Sequence, residues 1–434
     1  MKSIIVAGCG HGGLVAAGNL AKAGYLVNVY EKKSREALAH DWTDIFNLNS
    51  LTITGIPLPP SNKYFPKEPM TLINPSKTHH IKTEIPPEFM EMRMERRDIY
   101  DHLLSFAESS GAKIHFNSEI VGAIVDDSDT VCGIRLKDKD IKGDLVIDAC
   151  GLDSPVRKNL PERYNIIKEY GKGEKFYVYR AFYHRKQGEN SPYNYKVYLF
   201  HRGEMGISWV ADEGEYIDVL IGRLSPLTDE QIANAHEDLK EDNPCLGDEV
   251  IRGGQKVVIS VRRPLPLFVG DNYAGVGDSA AMTIPLIGSG ISNSIEAGKI
   301  LADTIINNQD NNFSIKNLWG YQSTYMQLKY SHAGLDLLKS RLFTVTKEQA
   351  DFAFAKKLLS VKDFSYVVAG KNLQLTAGEI LDKAIRGISQ TPLLLTVAAA
   401  FIQSQRLEKH AKAIPSAYHP QKVAAWINKY KKFK

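Results

Sequence analysis

The spacing of apolar residues changes period twice within the first thirty positions. Ile4-Ile5-Val6-Ala7 is an apolar run of strand length, Leu14 to Ala23 is an Ala/Leu-rich helical pattern that stops at Gly24, and Tyr25 to Tyr30 is a second strand ending on Glu31. The predicted order is strand, turn, helix, strand. Further on, 97–110 reads as a helix, and Lys113 to Phe116, Glu119 to Val125 and Val131 to Leu136 read as strands of a small meander. Between 56 and 95 the prolines (Pro57, Pro59, Pro60, Pro66, Pro69, Pro75, Pro86, Pro87) remove ladder donors, which predicts edge strands and loops. The section 165–262 is strand-rich, with short β patterns at Phe176 to Tyr183, Tyr195 to Phe200, Gly206 to Val210 and Tyr216 to Gly222. Beyond 330 the pattern is helical: Ser331 to Leu342, Lys347 to Leu359, Ala377 to Ile388, Leu393 to Leu407 and Pro420 to Tyr430.

The first turn carries chemistry. Gly8-Cys9-Gly10-His11-Gly12-Gly13 is a G-x-G-x-x-G between a strand and a helix. In such a turn Gly8 permits the tight bend, Gly10 lets a pyrophosphate approach the backbone, and Gly13 lets the helix pack close to the sheet. The helix N-terminus offers unpaired N–H groups to phosphate. Glu31 follows Gly13 by eighteen residues, near the ~20 expected of a carboxylate that accepts from a ribose hydroxyl. A dinucleotide site is the expectation.

Composition changes little. Of 434 residues, 43% are hydrophobic and 24% charged, which is ordinary for folded domains, and the length suits two or three of them. A net charge of +4 does not call for a nucleic-acid partner. Cys9, Cys132, Cys150 and Cys245 show no metal or dithiol spacing, which suits a reducing, cytoplasmic setting. No signal peptide is expected, since the apolar start reads as a short strand running into the glycine turn, and the longest apolar helical stretch, Pro392 to Ile402, is far below the ~20 residues that span a bilayer.

Two later segments bear on which dinucleotide is held. Lys142 to Cys150 is an apolar strand ending at Gly151, followed by Ser154 and Arg157. Tyr273-Ala274-Gly275-Val276-Gly277-Asp278 leads through Pro285-Leu286-Ile287-Gly288-Ser289-Gly290-Ile291 into a helix of small residues. Asp278 can accept from a ribityl hydroxyl, and the bare backbone of 285–290 can lie against a ring system. With these three motifs, residues 1–320 resemble FAD-dependent oxidoreductases of the glutathione-reductase-type fold, the geranylgeranyl reductase and para-hydroxybenzoate hydroxylase-like group. The resemblance implies an α/β fold: a Rossmann-like FAD-binding domain (1–60, 96–164 and 255–325), an inserted antiparallel β-sheet substrate domain (61–95 and 165–254) and a C-terminal helical region (326–434). It implies FAD held by Gly8, Gly10, Gly12, Gly13, Glu31, Lys32, Arg97, Gly151, Asp278, Gly288, Ser289, Gly290 and Ile291. Arg97 enters through a match to the group's R-x-x-x-D-x-x-L helix start. Trp42, Pro285, Gly288 and Trp209 are flavin-proximal candidates. No metal site is expected.

Within the group, the halogenase W-x-W-x-I-P, the C-x-x-x-x-C redox pair and the amine-oxidase G-G-R segment are absent. One resemblance is to reduction of a carbon–carbon double bond in an apolar, prenyl-lipid-like substrate. Gly206-Ile207-Ser208-Trp209-Val210-Ala211-Asp212-Glu213-Gly214 keeps the tryptophan and glycine turn of the reductases' Y-x-W-x-F-P motif but not its tyrosine, phenylalanine or proline. The alternatives are an NAD(P)H- and O2-dependent aromatic monooxygenase and a flavin-binding protein without turnover. Cys150 stands where the monooxygenases carry an aspartate associated with NADPH use. The expected partner is an apolar or aromatic small molecule, with the electron donor left open. His40, His184, His201 and His332 are read as surface or core histidines. The closing stretch from Trp426 to Lys434 mixes aromatics with lysines, which suits a solvated helix or, less well, a peripheral membrane contact.

Overall fold

A computed structural model describes residues 1–84, 90–187, 193–308, 310 and 312–433; Pro86, Pro87 and Lys434 of the stretches above lie outside them. A six-stranded sheet forms the centre, in the order Val269–Gly270, Tyr273–Gly275, Leu145–Asp148, Ser3–Ala7, Leu26–Tyr30, Lys113–His115. Its strands are parallel except Val269–Gly270. Ile4, Ile5 and Val6 are buried, as a continuous apolar strand must be when helices cover both faces of the sheet.

The helix His11–Lys22 crosses against Ile291–Ile306 and Arg96–Ser109. Two glycines allow the first crossing: a Cβ on Gly298 would stand 2.2 Å from the Gly12 carbonyl oxygen. The meander differs from expectation. Lys113–His115 joins the parallel sheet beside Leu26–Tyr30, because a helix returns the chain in the parallel sense. Asp140–Lys142 takes the third place, pairing with Val131–Leu136, which pairs on its other side with Ile120–Val125.

The second large sheet runs Leu246–Ser260, Lys175–Arg185, Tyr216–Arg223, Gly206–Asp212, Tyr195–Leu199, Thr71–Ile73, His80–Lys82. The long strand Leu246–Ser260 passes through position 254, where a domain boundary was expected. Met92–Glu95 pairs with Thr43–Phe46 and Tyr64–Pro66 in a separate three-stranded sheet. One face of the seven-stranded sheet packs under the helix Asp229–Asp242, which buries Ile232, Ala235 and Leu239 against it. Thr228 and Gln231 form a capping box at that helix start. The other face looks toward the central sheet across a cavity.

The C-terminal region is helical, with Thr391–Lys412 packed along Ser331–Leu342. It also contains a helix the sequence reading missed, Val361–Val368, capped by Ser360 and Asp363. The closing helix Pro420–Lys432 buries Val423, Trp426, Ile427 and Tyr430, and the Trp426 indole N–H donates to the His410 carbonyl (2.8 Å). The aromatic members of the terminal stretch thus face the core.

Candidate functional site

Parallel strands end together on one edge of a sheet, and ligands of doubly wound folds bind outside those ends. Here Gly8–Gly10, Glu31–Lys33, Ala149–Leu152 and Val276–Asp278 meet there and line one end of a cavity of about 1210 Å³. Gly8 has a φ of +87°, and a Cβ on it would lie 2.8 Å from the Ala149 carbonyl oxygen. A Cβ on Gly13 would lie 2.6 Å from the Ala149 Cβ. Gly10 precedes the helix His11–Lys22 without any side-chain cap, so the helix terminus is turned toward the cavity with backbone donors to offer.

Glu31 is buried at the crevice mouth. Its carboxylate accepts from the backbone N–H of Cys9 and of Lys33, both at 2.9 Å. These bonds fix its orientation and leave lone pairs for a ligand hydroxyl. Gly8, Gly10, Glu31, Lys32, Gly151, Asp278, Gly288, Ser289, Gly290 and Ile291 all line the cavity. Gly12 and Gly13 do not; they sit in the helix–helix and helix–sheet contacts, where a Cβ on Gly12 would stand 2.4 Å from the Ser294 carbonyl oxygen.

Arg97 is corrected. Its guanidinium donates to the carbonyl oxygens of Arg35 and Glu36 on the far side of the helix start, and it does not line the cavity. Its neighbour Arg96 does. Consecutive helical residues point about 100° apart, so a one-residue error of register sends the charge to the wrong side. Arg96 Nη1 lies 2.7 Å from Asp44 Oδ2, and its guanidinium stands 5.7 Å from the Tyr100 ring centre and 5.9 Å from that of Trp42.

The second helix terminus reaches the cavity from the other side. Gly290 precedes Ile291–Ile306, also without a side-chain cap. The preceding loop is closed by Ile284 N–H to Ser289 O (2.8 Å) and Gly288 N–H to Ile284 O (2.9 Å). Gly288 has a φ of +72°. The Asp278 carboxylate accepts from Thr283 Oγ1 at 2.5 Å, and burial raises its pKa above the usual carboxylate range.

Beyond the loop, Trp42, Trp209 and Pro285 line the cavity with Gly288. Arg180 stands between the two tryptophans, 5.8 Å and 5.3 Å from their ring centres. It is locked by Asp218, with Nη2–Oδ2 at 2.6 Å and Nε–Oδ1 at 2.9 Å. Four buried nitrogens on the cavity wall have no protein partner among the described residues: His11 Nε2, Trp42 Nε1, Arg96 Nε and Trp209 Nε1. Unpaired buried polar groups cost free energy, and all four belong to residues that line the cavity. His11, stacked on Tyr100 at 4.7 Å, is held neutral at neutral pH, its pKa lowered to about 3 by burial and then by Arg96.

The cavity then extends away from every motif in the sequence. Its distal walls come from the C-terminal helices: Phe354, Leu359, Phe364, Val367, Leu393 and Val397 among others. The sequence reading gave this region no role. The available signal was the run Pro392 to Ile402, which is apolar all round its helix. Of the four histidines judged structural, His40 lines the cavity and bonds Gln255 at 2.6 Å. His184 is exposed, His332 is buried away from the cavity, and His201 is buried between Ser208 and Asp238.

The crevice fits an FAD-sized dinucleotide. One end has two glycines where side chains would close it and a carboxylate at ribose distance along the chain; the other has a bare loop and a second helix terminus. The volume exceeds the ~300–1,000 Å³ of a single drug-sized ligand, so a cofactor and a substrate can share it.

No protein-family model matches the chain. It is 25% identical over 370 residues to the digeranylgeranylglycerophospholipid reductase of Haloferax volcanii, covering 78% of this chain and 84% of that protein. A digeranylgeranylglycerophospholipid reductase 2 of Methanococcoides burtonii is 25% identical over 222 residues, 48% of this chain and 51% of that one. Among solved structures, a geranylgeranyl bacteriochlorophyll reductase-like protein of Thermoplasma acidophilum superposes with a TM-score of 0.71 at 19% identity, covering 92% of this chain and 99% of that one. PqsL of P. aeruginosa, solved with 2-aminobenzoylacetate, gives 0.60 at 16% identity, with 81% and 98% covered. The chain has the fold of the FAD-dependent geranylgeranyl reductase and para-hydroxybenzoate hydroxylase-like oxidoreductases, and its sequence is similar to reductases of that group.

Proposed function

We propose that this FAD-dependent oxidoreductase reduces carbon–carbon double bonds in a prenyl-lipid-like substrate. The observation that carries this reading is the lining of the cavity: besides the loop 285–290 it takes in apolar side chains of the C-terminal helices, such as Phe354, Phe364, Leu393 and Val397. A small aromatic acid has little use for so much apolar wall, whereas a prenyl chain is desolvated by it. FAD, when bound and reduced, supplies hydride, and a proton completes addition across the double bond.

The protein's own residues do the positioning. Glu31, Arg96 and the two helix termini hold the dinucleotide. Asp278 and the backbone of 288–290 would hold its flavin half. Phe354, Phe364 and Val397 hold the apolar chain and exclude water. Trp42, Trp209 and Arg180 form a polar collar between the two regions, suited to a headgroup oxygen. The similarity to two digeranylgeranylglycerophospholipid reductases supports the same reading.

The collar also supports the second reading, hydroxylation of an aromatic acid, since a locked arginine with two indole N–H groups can hold a carboxylate. Mass spectrometry of products separates the two. Incubation of chemically reduced holoenzyme with a geranylgeranyl lipid is expected to add two hydrogens per double bond. Addition of oxygen to an aromatic acid, with the lipid untouched, would reverse the assignment.

A further inference from the structure

A helix in a soluble fold buries one apolar stripe and shows water the other side. The Thr391–Lys412 helix breaks this rule in its first half. Leu393, Leu394 and Val397 line the cavity, while Leu395 and Ile402, on the opposite side, are 66% and 49% exposed. The preceding helix, Ala377–Gly387, repeats the pattern. Leu381 and Ile385, one helical turn apart, are 62% and 63% exposed, and Ile388 just beyond is 72% exposed. Ile380 adds to the same ridge at 48%. Six large apolar side chains thus stand uncovered within one helix–turn–helix, which also forms a wall of the cavity. Isolated exposed leucines mean nothing, but a contiguous ridge marks an interaction surface.

Charge and length decide what covers the ridge. Between 356 and 412 the chain carries nine Lys and Arg against four Asp and Glu, an excess of five where the whole chain has +4. Lys356 and Lys357 are held beside the ridge, their carbonyl oxygens accepting from Arg386 (3.2 and 2.8 Å). By length and composition alone Ala377–Lys412 is long and apolar enough to cross a membrane, and only 17% of its most apolar stretch is buried. The structure argues against spanning, because the segment is broken at Ile388–Gln390 into two helices. Its uninterrupted apolar stretch, 392–402, falls well short of the ~20 residues needed. An apolar outer face, a net excess of cations along the segment and insufficient uninterrupted length are the properties of a segment that lies in the bilayer interface.

We infer that the 377–402 helix–turn–helix docks this protein onto an anionic lipid surface, with the inner wall of the same helices opening a path for a lipid into the cavity. The path rests on the reductase reading above; the docking does not. Cations near an anionic surface each add attraction that falls with salt, and the apolar ridge adds burial.

The test is flotation of the full-length holoenzyme with vesicles of phosphatidylcholine containing one third phosphatidylglycerol. The wild type is expected to float with these vesicles, less so with pure phosphatidylcholine or at high salt. The variant Leu381→Gln/Ile385→Gln/Ile388→Gln/Leu395→Gln is expected to lose at least about tenfold in bound fraction while keeping its FAD content, which reports intact folding. A milder pair, Leu381→Ser/Ile388→Ser, serves if the fourfold variant misfolds. Wild type that stays in the soluble fraction would overturn the inference. So would variants that float equally well, or a ridge-dependent dimer in solution that does not float, since a second copy would then cover the ridge. With geranylgeranyl lipid as substrate, the variant should lose turnover on vesicles but not in detergent micelles. Absence of turnover in both, with flotation intact, would count against the reductase reading alone.

Discussion

The guanidinium of Arg96 is tied to the carboxylate of Asp44 at 2.7 Å and lies beside the rings of Trp42 and Tyr100 on the cavity wall. Its Nε has no protein acceptor among the described residues. The next residue, Arg97, spends its donors on carbonyl oxygens of 35 and 36. The pair makes a matched control. Arg96→Ala is expected to weaken FAD binding by roughly tenfold to over a hundredfold, corresponding to ~1.5–3 kcal/mol for a charge-assisted hydrogen bond. Arg97→Ala should stay within about twofold, as for a surface substitution. Flavin fluorescence titration of the two apoproteins measures both, and the reverse order would show that Arg97 rather than Arg96 serves the ligand.

Asp278 should show opposed effects. Burial raises its carboxyl pKa, so ionisation at neutral pH costs the empty fold stability. The folded state keeps its proton after the unfolded chain has released one, and stability is lost as pH rises above the unfolded carboxyl range of ~3.9. Asp278→Asn is therefore expected to raise the melting temperature of the apoprotein at pH 7 and to lower FAD retention. Apoprotein melts and FAD dissociation constants test the two halves; a variant that is less stable without FAD would contradict the burial argument.

Val397 lines the distal cavity. Val397→Trp should fill that end and shorten the accepted chain, with turnover of a geranylgeranyl lipid falling by about tenfold or more while a geranyl analogue is spared. A methylene in an apolar pocket is worth ~1–3 kcal/mol, so loss of several contacts easily reaches this size. Equal loss on both analogues would place the substrate elsewhere.

Glu408, on the helix Thr391–Lys412, has its pKa raised to about 7 by burial, against ~4.3 unfolded. The unfolded chain gives up this proton first as pH rises. Stability is thus highest below the unfolded value, falls between ~4.3 and about 7, and is flat above. Glu408→Gln should remove a penalty of about 1–3 kcal/mol at pH 8 and flatten that part of the profile. Urea unfolding at pH 5 and pH 8 measures it; identical pH dependence in wild type and variant would show that the fold does not raise the Glu408 pKa.

The nucleotide end of the site was legible because its chemistry is local. Gly8, Gly10 and Glu31 are brought together by one strand–helix–strand unit whose geometry follows from its pattern. Asp278 and Gly288 to Gly290 lie in the turn and loop that follow the strand Tyr273–Gly275 of the same sheet. The choice between Arg96 and Arg97 was not legible, since a motif spaced along a helix start tolerates a one-residue shift and the helix does not. The substrate region was illegible for a different reason. Phe354, Phe364 and Val397 are ordinary apolar residues of three separate helices, and only tertiary packing puts them on one wall. Gly12 lies in the helix–helix contact, a placement the motif alone does not show, because a motif glycine can serve helix packing as well as ligand approach.

The most direct test mixes dithionite-reduced holoenzyme with a geranylgeranyl lipid in the absence of oxygen and follows flavin absorbance. The account predicts return of the oxidised flavin spectrum in step with saturation of the lipid, with neither oxygen nor NADPH present. A flavin that stays bleached without oxygen, but reoxidises in air and hydroxylates an aromatic acid in the same cavity, would contradict it.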